Sequence, residues 1–210
     1  MPAPPAPELL FDGASGGATV ALAHGAGAAM DSPFMATMAA GLAKRGLRVA
    51  RFEFPYMAAR RATGKRKPPD RAPVLHATWA AVIAALAGDG PLVIGGKSMG
   101  GRIASEAAAA GAPVAGVVCL GYPFHPAGKP ERLRTAHLAE LAVPTLIVQG
   151  ERDALGNRAE VAGYALSPAA ELVWLPDGDH SFKPRKASGH SEAENLEAAV
   201  DAVACFVATL

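Results

Sequence analysis

Residues 91–102 read Pro91-Leu92-Val93-Ile94-Gly95-Gly96-Lys97-Ser98-Met99-Gly100-Gly101-Arg102, and the organisation of the chain follows outward from this stretch. The apolar run before Gly96 suits a strand buried on both faces, and the Ala-rich run after Ser98 suits a helix. Between them, Gly96-Lys97-Ser98-Met99-Gly100 is a G-x-S-x-G pattern. In a strand–turn–helix setting the serine sits on a tight turn with strained backbone angles, and a Cβ on either side would strike the neighbouring strand or helix. Such a turn lifts the Ser98 hydroxyl above the carboxyl edge of the sheet, where ligands bind in open α/β folds. Gly96-Lys97-Ser98 also resembles the end of a phosphate-binding loop. There, however, the first glycine of the pattern falls on Pro91 and the residues between are strand, so no loop remains to wrap a phosphate.

The flanks repeat the alternation of strand and helix. Apolar runs, several nearly continuous, predict strands over 18–23, 48–54, 91–95, 114–120, 144–149 and 171–175. Helices are expected over 33–44, 72–87, 99–110, 158–165 and 192–207. Gly46, Gly88 and Gly111 stand where a left-handed residue closes a helix. Ser32-Pro33 and Ser191, the latter followed by Glu192 and Glu194, stand where helices start. Strand–helix alternation implies a mostly parallel sheet with helices on both faces, in one α/β domain over residues 8–210. Residues 1–7, MPAPPAP, lack the basic start and apolar core of a signal peptide and read as a short disordered tail.

Composition narrows the function classes. The formal net charge is +1, which favours neither nucleic acid nor an anionic membrane as partner. No apolar run approaches the roughly 20 residues needed to cross a bilayer. The two cysteines, Cys119 and Cys205, lie in apolar runs and are expected to be buried thiols in a reducing, cytoplasmic compartment. One segment departs from the rest: Arg60 to Arg71 reads RRATGKRKPPDR, with six basic residues and one acidic. It is expected to be a loop, either a solvated surface or a basic rim for an anionic substrate or partner.

A serine hydroxyl attacks a carbonyl only when a base removes its proton. The serine turn resembles that of the α/β-hydrolase superfamily, and this resemblance implies the chain order serine, then acid, then histidine. Of the six histidines only His180 and His190 lie late enough. His180 is favoured because it follows the strand ELVWL within the turn PDGDHSF, at the edge that holds Ser98. Asp153 follows the strand TLIVQ at the same edge and is the candidate acid, with Glu151 its nearest rival; Asp177 and Asp179 read as turn residues. The strand ATVALA runs into His24-Gly25-Ala26-Gly27-Ala28, a glycine-rich bend that exposes backbone N–H groups. The Ala26 and Met99 amides are the candidate oxyanion hole, and His24 is read as structural. Lys97 either underlies this site or packs along the helix. No Cys/His or His/carboxylate cluster has metal-ligand spacing, and the chemistry calls for no cofactor.

The segments HGAG, FEFPYM, PPDRAP, GGKSMGGR, GERDALG and DGDHSF together resemble the α/β-hydrolase superfamily, over residues 18–207. The resemblance is to its small, lidless members described as dienelactone-hydrolase-like or as α/β-family hydrolases without an assigned substrate. It implies an eight-stranded, mostly parallel sheet. A dienelactone hydrolase proper uses a cysteine nucleophile, and here Ser98 stands in that place. The stretch from Gly121 to Leu141 is too short for a helical cap, so an open site is expected, walled by the loop at Tyr122–His125 and the basic segment. Gly25, Tyr122 and Phe124 are then candidate substrate contacts. The resemblance implies a serine hydrolase acting on a small ester or acyl compound through a Ser-His-Asp triad and an acyl-enzyme. The alternative is a catalytically idle member serving as a binding module.

Overall fold

The computed structural model describes residues 6–88 and 90–210. Most of the tail expected at residues 1–7 thus lies outside the described residues. Strands run over Leu9–Asp12 (β1), Thr19–Ala23 (β2), Arg48–Phe52 (β3), Leu92–Lys97 (β4), Gly116–Leu120 (β5), Thr145–Gly150 (β6) and Ala170–Leu175 (β7). Helices run over Pro33–Lys44 (α1), Pro55–Thr63 (α2), Ala72–Ala85 (α3), Met99–Ala109 (α4), Ala136–Glu140 (α5), Arg158–Val161 (α6) and Glu192–Ala208 (α7). The strands form one sheet in the order β1-β3-β2-β4-β5-β6-β7, parallel except for β1, which pairs antiparallel with β3. Among the described residues the sheet has seven strands rather than the eight the resemblance implied, because a single short antiparallel strand precedes the parallel part.

Side-chain alternation along the strands divides the core in two. Ala21, Phe52, Ile94, Cys119 and Ile147 pack with Trp79 of α3 and Ile103 of α4. Val20, Leu22, Val93, Val118 and Val148 pack with Met38 of α1 and Val203 of α7. The parallel register brings Ala23 opposite Phe52 and Gly96, Lys97 opposite Leu120, and Gly150 opposite Leu175. Every parallel strand therefore ends at one edge, and the loops that leave it converge.

Four expectations need correction. The basic segment is not all loop: α2 extends to Thr63, begun by Pro55 at its first position and ended by left-handed Gly64, whose N–H bonds the Arg60 carbonyl. Helix α6 covers only Arg158–Val161, held by an Asn157 capping box with Glu160, and the short α5 has no counterpart among the expected helices. Ser32 precedes α1 without a side-chain capping bond, because Pro33 at the first position supplies the start; Ser191 does cap α7, in a box with Glu194. Finally, Cys119 is buried but Cys205 is exposed on the outer face of α7.

Candidate active site

At the end of β4 the chain turns sharply into α4. Ser98 has φ 51° and ψ −113°, a conformation costly to a residue with a side chain, and its N–H donates to the Leu120 carbonyl at 2.9 Å. The flanking glycines make the turn possible. A Cβ on Gly96 (φ 151°) would lie 2.1 Å from the Ala23 carbonyl oxygen, and one on Gly100 would lie 2.4 Å from the same atom. The end of β2 and the first turn of α4 thus meet at a separation only glycine allows.

The loop after β7 carries His180 to this turn. His180 Nε2 lies 2.9 Å from Ser98 Oγ, and its Nδ1 lies 2.7 Å from Asp153 Oδ2. With Nδ1–H donating to the carboxylate, Nε2 is left as acceptor for the serine hydroxyl. Asp153 is fully buried; its Oδ1 accepts the Leu155 N–H at 2.8 Å, and its Oδ2 also accepts from Gln149 Nε2 at 2.9 Å. Glu151 meets other partners. It accepts from the Asp177 N–H at 3.0 Å and from Arg158 at 2.7 Å, which in that order hold its carboxyl below the usual range. Asp177 and Asp179 shape the histidine loop as turn residues. Asp179 Oδ1 accepts the N–H groups of Ser181 and Lys183, and the Arg185 guanidinium pulls Asp177 down to about 2. Asn195 on α7 closes the loop by donating to the Pro176 and Phe182 carbonyls.

On the opposite side lies the bend at residues 24–28. His24 is buried; its Nε2 accepts the Phe54 N–H at 3.1 Å, which leaves Nδ1–H to donate to the Gly25 carbonyl at 2.6 Å. Burial lowers its pKa, consistent with a neutral ring in a structural role. The Tyr56 hydroxyl donates to the Ala26 carbonyl at 2.9 Å. Neither the Ala26 N–H nor the Met99 N–H donates to another group among the described residues, and the Met99 amide is an orphan of the helix start.

A cleft of about 460 Å³ opens over Ser98, with Ala26, Met99, Pro123, Leu155, Arg102 and Arg134 on its walls. Pro69 and Asp70 line it as well, so the segment after α2 does reach the cleft, though not through its basic side chains. Arg61 is instead paired with Glu53 and Asp31, and Arg60 donates to the Gly27 carbonyl. Tyr122 and Phe124, expected at the substrate, are fully buried and stack edge-on at 4.9 Å; Pro123 between them faces the cleft. Gly25 lies beside the serine, where an added Cβ would be 3.8 Å from Ser98 Cβ, but it does not line the cleft. A second serine–histidine contact, Ser105 Oγ to His137 Nε2 at 2.8 Å, lies between α4 and α5. Ser105 is fully buried and donates to the Arg102 carbonyl, so this pair packs two helices and does not face the cleft. Among the described residues no three His, Cys, Asp or Glu side chains gather as a metal would require.

A sequence model described as "Alpha/beta hydrolase domain" matches residues 16–208. The chain belongs to the alpha/beta hydrolase family. Solved alpha/beta hydrolases share its fold at low identity. A serine hydrolase without lid from Xanthomonas campestris is 20% identical, with a TM-score of 0.68 over 93% of this chain and 87% of that one. An alpha-beta serine hydrolase homologue from Coxiella burnetii is 20% identical, with a TM-score of 0.66 over 96% and 90%. Est1E from Butyrivibrio proteoclasticus is 15% identical, with a TM-score of 0.71 over 95% and 94%. Like the first of these, this alpha/beta hydrolase has no large cap: only α5 interrupts the stretch between β5 and β6.

Sequence reasoning misses two residues around the site of this alpha/beta hydrolase and leaves a third open. Gln149 is fully buried at the end of β6; its Oε1 accepts the Tyr122 N–H at 2.6 Å, and its Nε2 serves Asp153 and the Gly156 and Tyr122 carbonyls. A glutamine near the end of an apolar strand, at the edge that holds Ser98, is a signal that could have been read. Lys97, open between two roles in the sequence, underlies the site: its Nζ donates to the His180 carbonyl at 2.5 Å. Tyr56, inside FEFPYM, carries no local sign of its bond to the early bend.

Proposed function

We propose that the chain is a serine hydrolase of small carboxylic esters or related acyl compounds. One observation carries the reading: His180 bridges the Ser98 hydroxyl and the buried Asp153 carboxylate in the order general base catalysis requires. Ser98 Oγ attacks the substrate carbonyl carbon as His180 Nε2 takes its proton. The carbonyl oxygen, now negative, accepts hydrogen bonds from the Ala26 and Met99 amides, aided by the positive end of α4. Collapse of the tetrahedral intermediate expels the alcohol, protonated by His180, and leaves an acyl-serine. Water activated by the same histidine then releases the acid. The cleft suits a small-molecule substrate. Paired with no disulfide, Cys119 and Cys205 fit work in a reducing compartment such as the cytoplasm.

A fluorophosphonate probe tests the reading. The native protein should label, and Ser98→Ala and His180→Ala should not. An unlabelled native protein, beside an esterase that reacts under the same conditions, would sink it in favour of an idle binding module.

A further inference from the structure

Two guanidinium groups face the cleft above Ser98, and one of them has no partner among the described residues. Arg102 lies on the first turn of α4 and Arg134 on the loop before α5; both line the same cavity as the serine. The Arg134 backbone is fixed, since its N–H donates to the Phe124 carbonyl and its own carbonyl accepts the Tyr122 hydroxyl, each at 2.8 Å. Its side chain makes no hydrogen bond or ion pair among the described residues. Arg102 gives Nη1 to Glu106, but its Nε is buried without any partner. Glu106 also meets His76 Nε2 at 3.2 Å and is the one carboxylate whose charge acts on Arg134, so a single acid offsets the two guanidinium groups.

Together these observations give the cleft a cationic wall beside Ser98. Resting on the hydrolase reading above, we infer that the substrate carries a second, ionised carboxylate, which Arg134 receives with Arg102 beside it while Ser98 attacks the ester. A planar guanidinium matches a carboxylate fork on fork. Burial and the neighbouring Arg102 charge both depress the Arg134 pKa, a cost that a bound anion relieves. Asp70, the acid on the cleft wall, is committed to the Tyr56 N–H at 2.8 Å and is not among the charges acting on Arg134. The substrate class is thus the half-ester of a short dicarboxylic acid, or an ester of similar charge and size.

The test compares p-nitrophenyl acetate with p-nitrophenyl hydrogen glutarate, reading the ratio of their kcat/KM values. The native protein should prefer the anionic ester, and Arg134→Gln should lower the ratio about tenfold or more, mostly through KM. Arg134→Lys should recover part of it, and added salt should erode it. A ratio unmoved by Arg134→Gln, in protein that still labels with fluorophosphonate, overturns the anion site and leaves the hydrolase reading standing. Should Arg134→Gln fail to fold, free glutarate provides the second measurement. Salt-sensitive protection of the native serine from labelling supports the site, and labelling indifferent to glutarate overturns it. A native protein that never labels removes both readings together.

Discussion

The ammonium of Lys97 donates to the main-chain carbonyl of His180 at 2.5 Å, joining the residue before Ser98 to the histidine hydrogen-bonded to it. The bond fixes the His180 backbone at the height of the β4 edge, while Asp153 fixes its ring. The ammonium lies near the faces of Phe34 and Phe182, at 5.4 and 5.7 Å, largely buried beneath the site.

That burial makes stability depend on pH in a defined direction. Loss of solvation lowers the Lys97 pKa to about 8 from 10.5, so between these values the unfolded chain holds a proton that the folded chain lacks. Stability from this group rises with pH across that window, and below it the buried charge costs on the order of 3 kcal/mol. The stability of the native protein relative to Lys97→Met should therefore grow by about that amount between pH 7 and pH 10.5. Denaturant unfolding at the two pH values measures it. A difference independent of pH would mean that Lys97 is solvated.

Gln149 bonds Asp153 and three main-chain groups from a fully buried position. Gln149→Leu is similar in size but leaves the buried Tyr122 N–H and Gly156 carbonyl without this partner and removes one of the bonds that Asp153 accepts. A loss of about 3 kcal/mol in stability is expected. With Asp153 less firmly held, kcat on an aryl ester should fall roughly 10- to 100-fold with KM little changed. Equal loss in kcat and gain in KM would argue against a role in holding the triad.

The elbow glycines should differ sharply from one nearby. A Cβ on Gly96 meets main-chain oxygen at 2.1 Å, whereas one on Gly27 meets nothing within 4 Å. Gly96→Ala should cost more than about 3 kcal/mol or prevent folding, and Gly27→Ala should stay within about 1 kcal/mol of the native protein. Urea midpoints compare the two; similar values would discount the close approach of β2 to Gly96 at the end of β4.

The thiols should react in two stages. Burial pushes the Cys119 thiol well up, while Cys205 is exposed. A disulfide reagent should titrate one thiol in the native state and the second only in denaturant. Two fast equivalents would show that β5 opens readily.

Much of this protein was determined by its sequence alone, because the deciding signals are local. Apolar runs such as LVIGG and TLIVQG read as buried strands wherever they are placed, and a serine between glycines after such a strand admits one kind of turn. Since parallel strands end at one edge, the residues just after them, Asp153 and His180, are legible as neighbours of Ser98 from their places in the chain. Tertiary structure decided what depends on side-chain direction and on distant partners. Tyr122 and Phe124 leave the same edge as Pro123, yet their rings turn into the core, and no pattern in GYPF announces which residue faces the cleft. Arg61 reads only as part of a basic segment until Glu53 and Asp31 are seen beside it, and nothing in the sequence marks Arg134, whose side chain has no hydrogen bond or ion pair among the described residues. Lys97 and His180 stand 83 positions apart, and only the closing of the sheet brings amine to carbonyl. Backbone geometry follows from short-range sterics; the pairing of charges follows from where the chain returns.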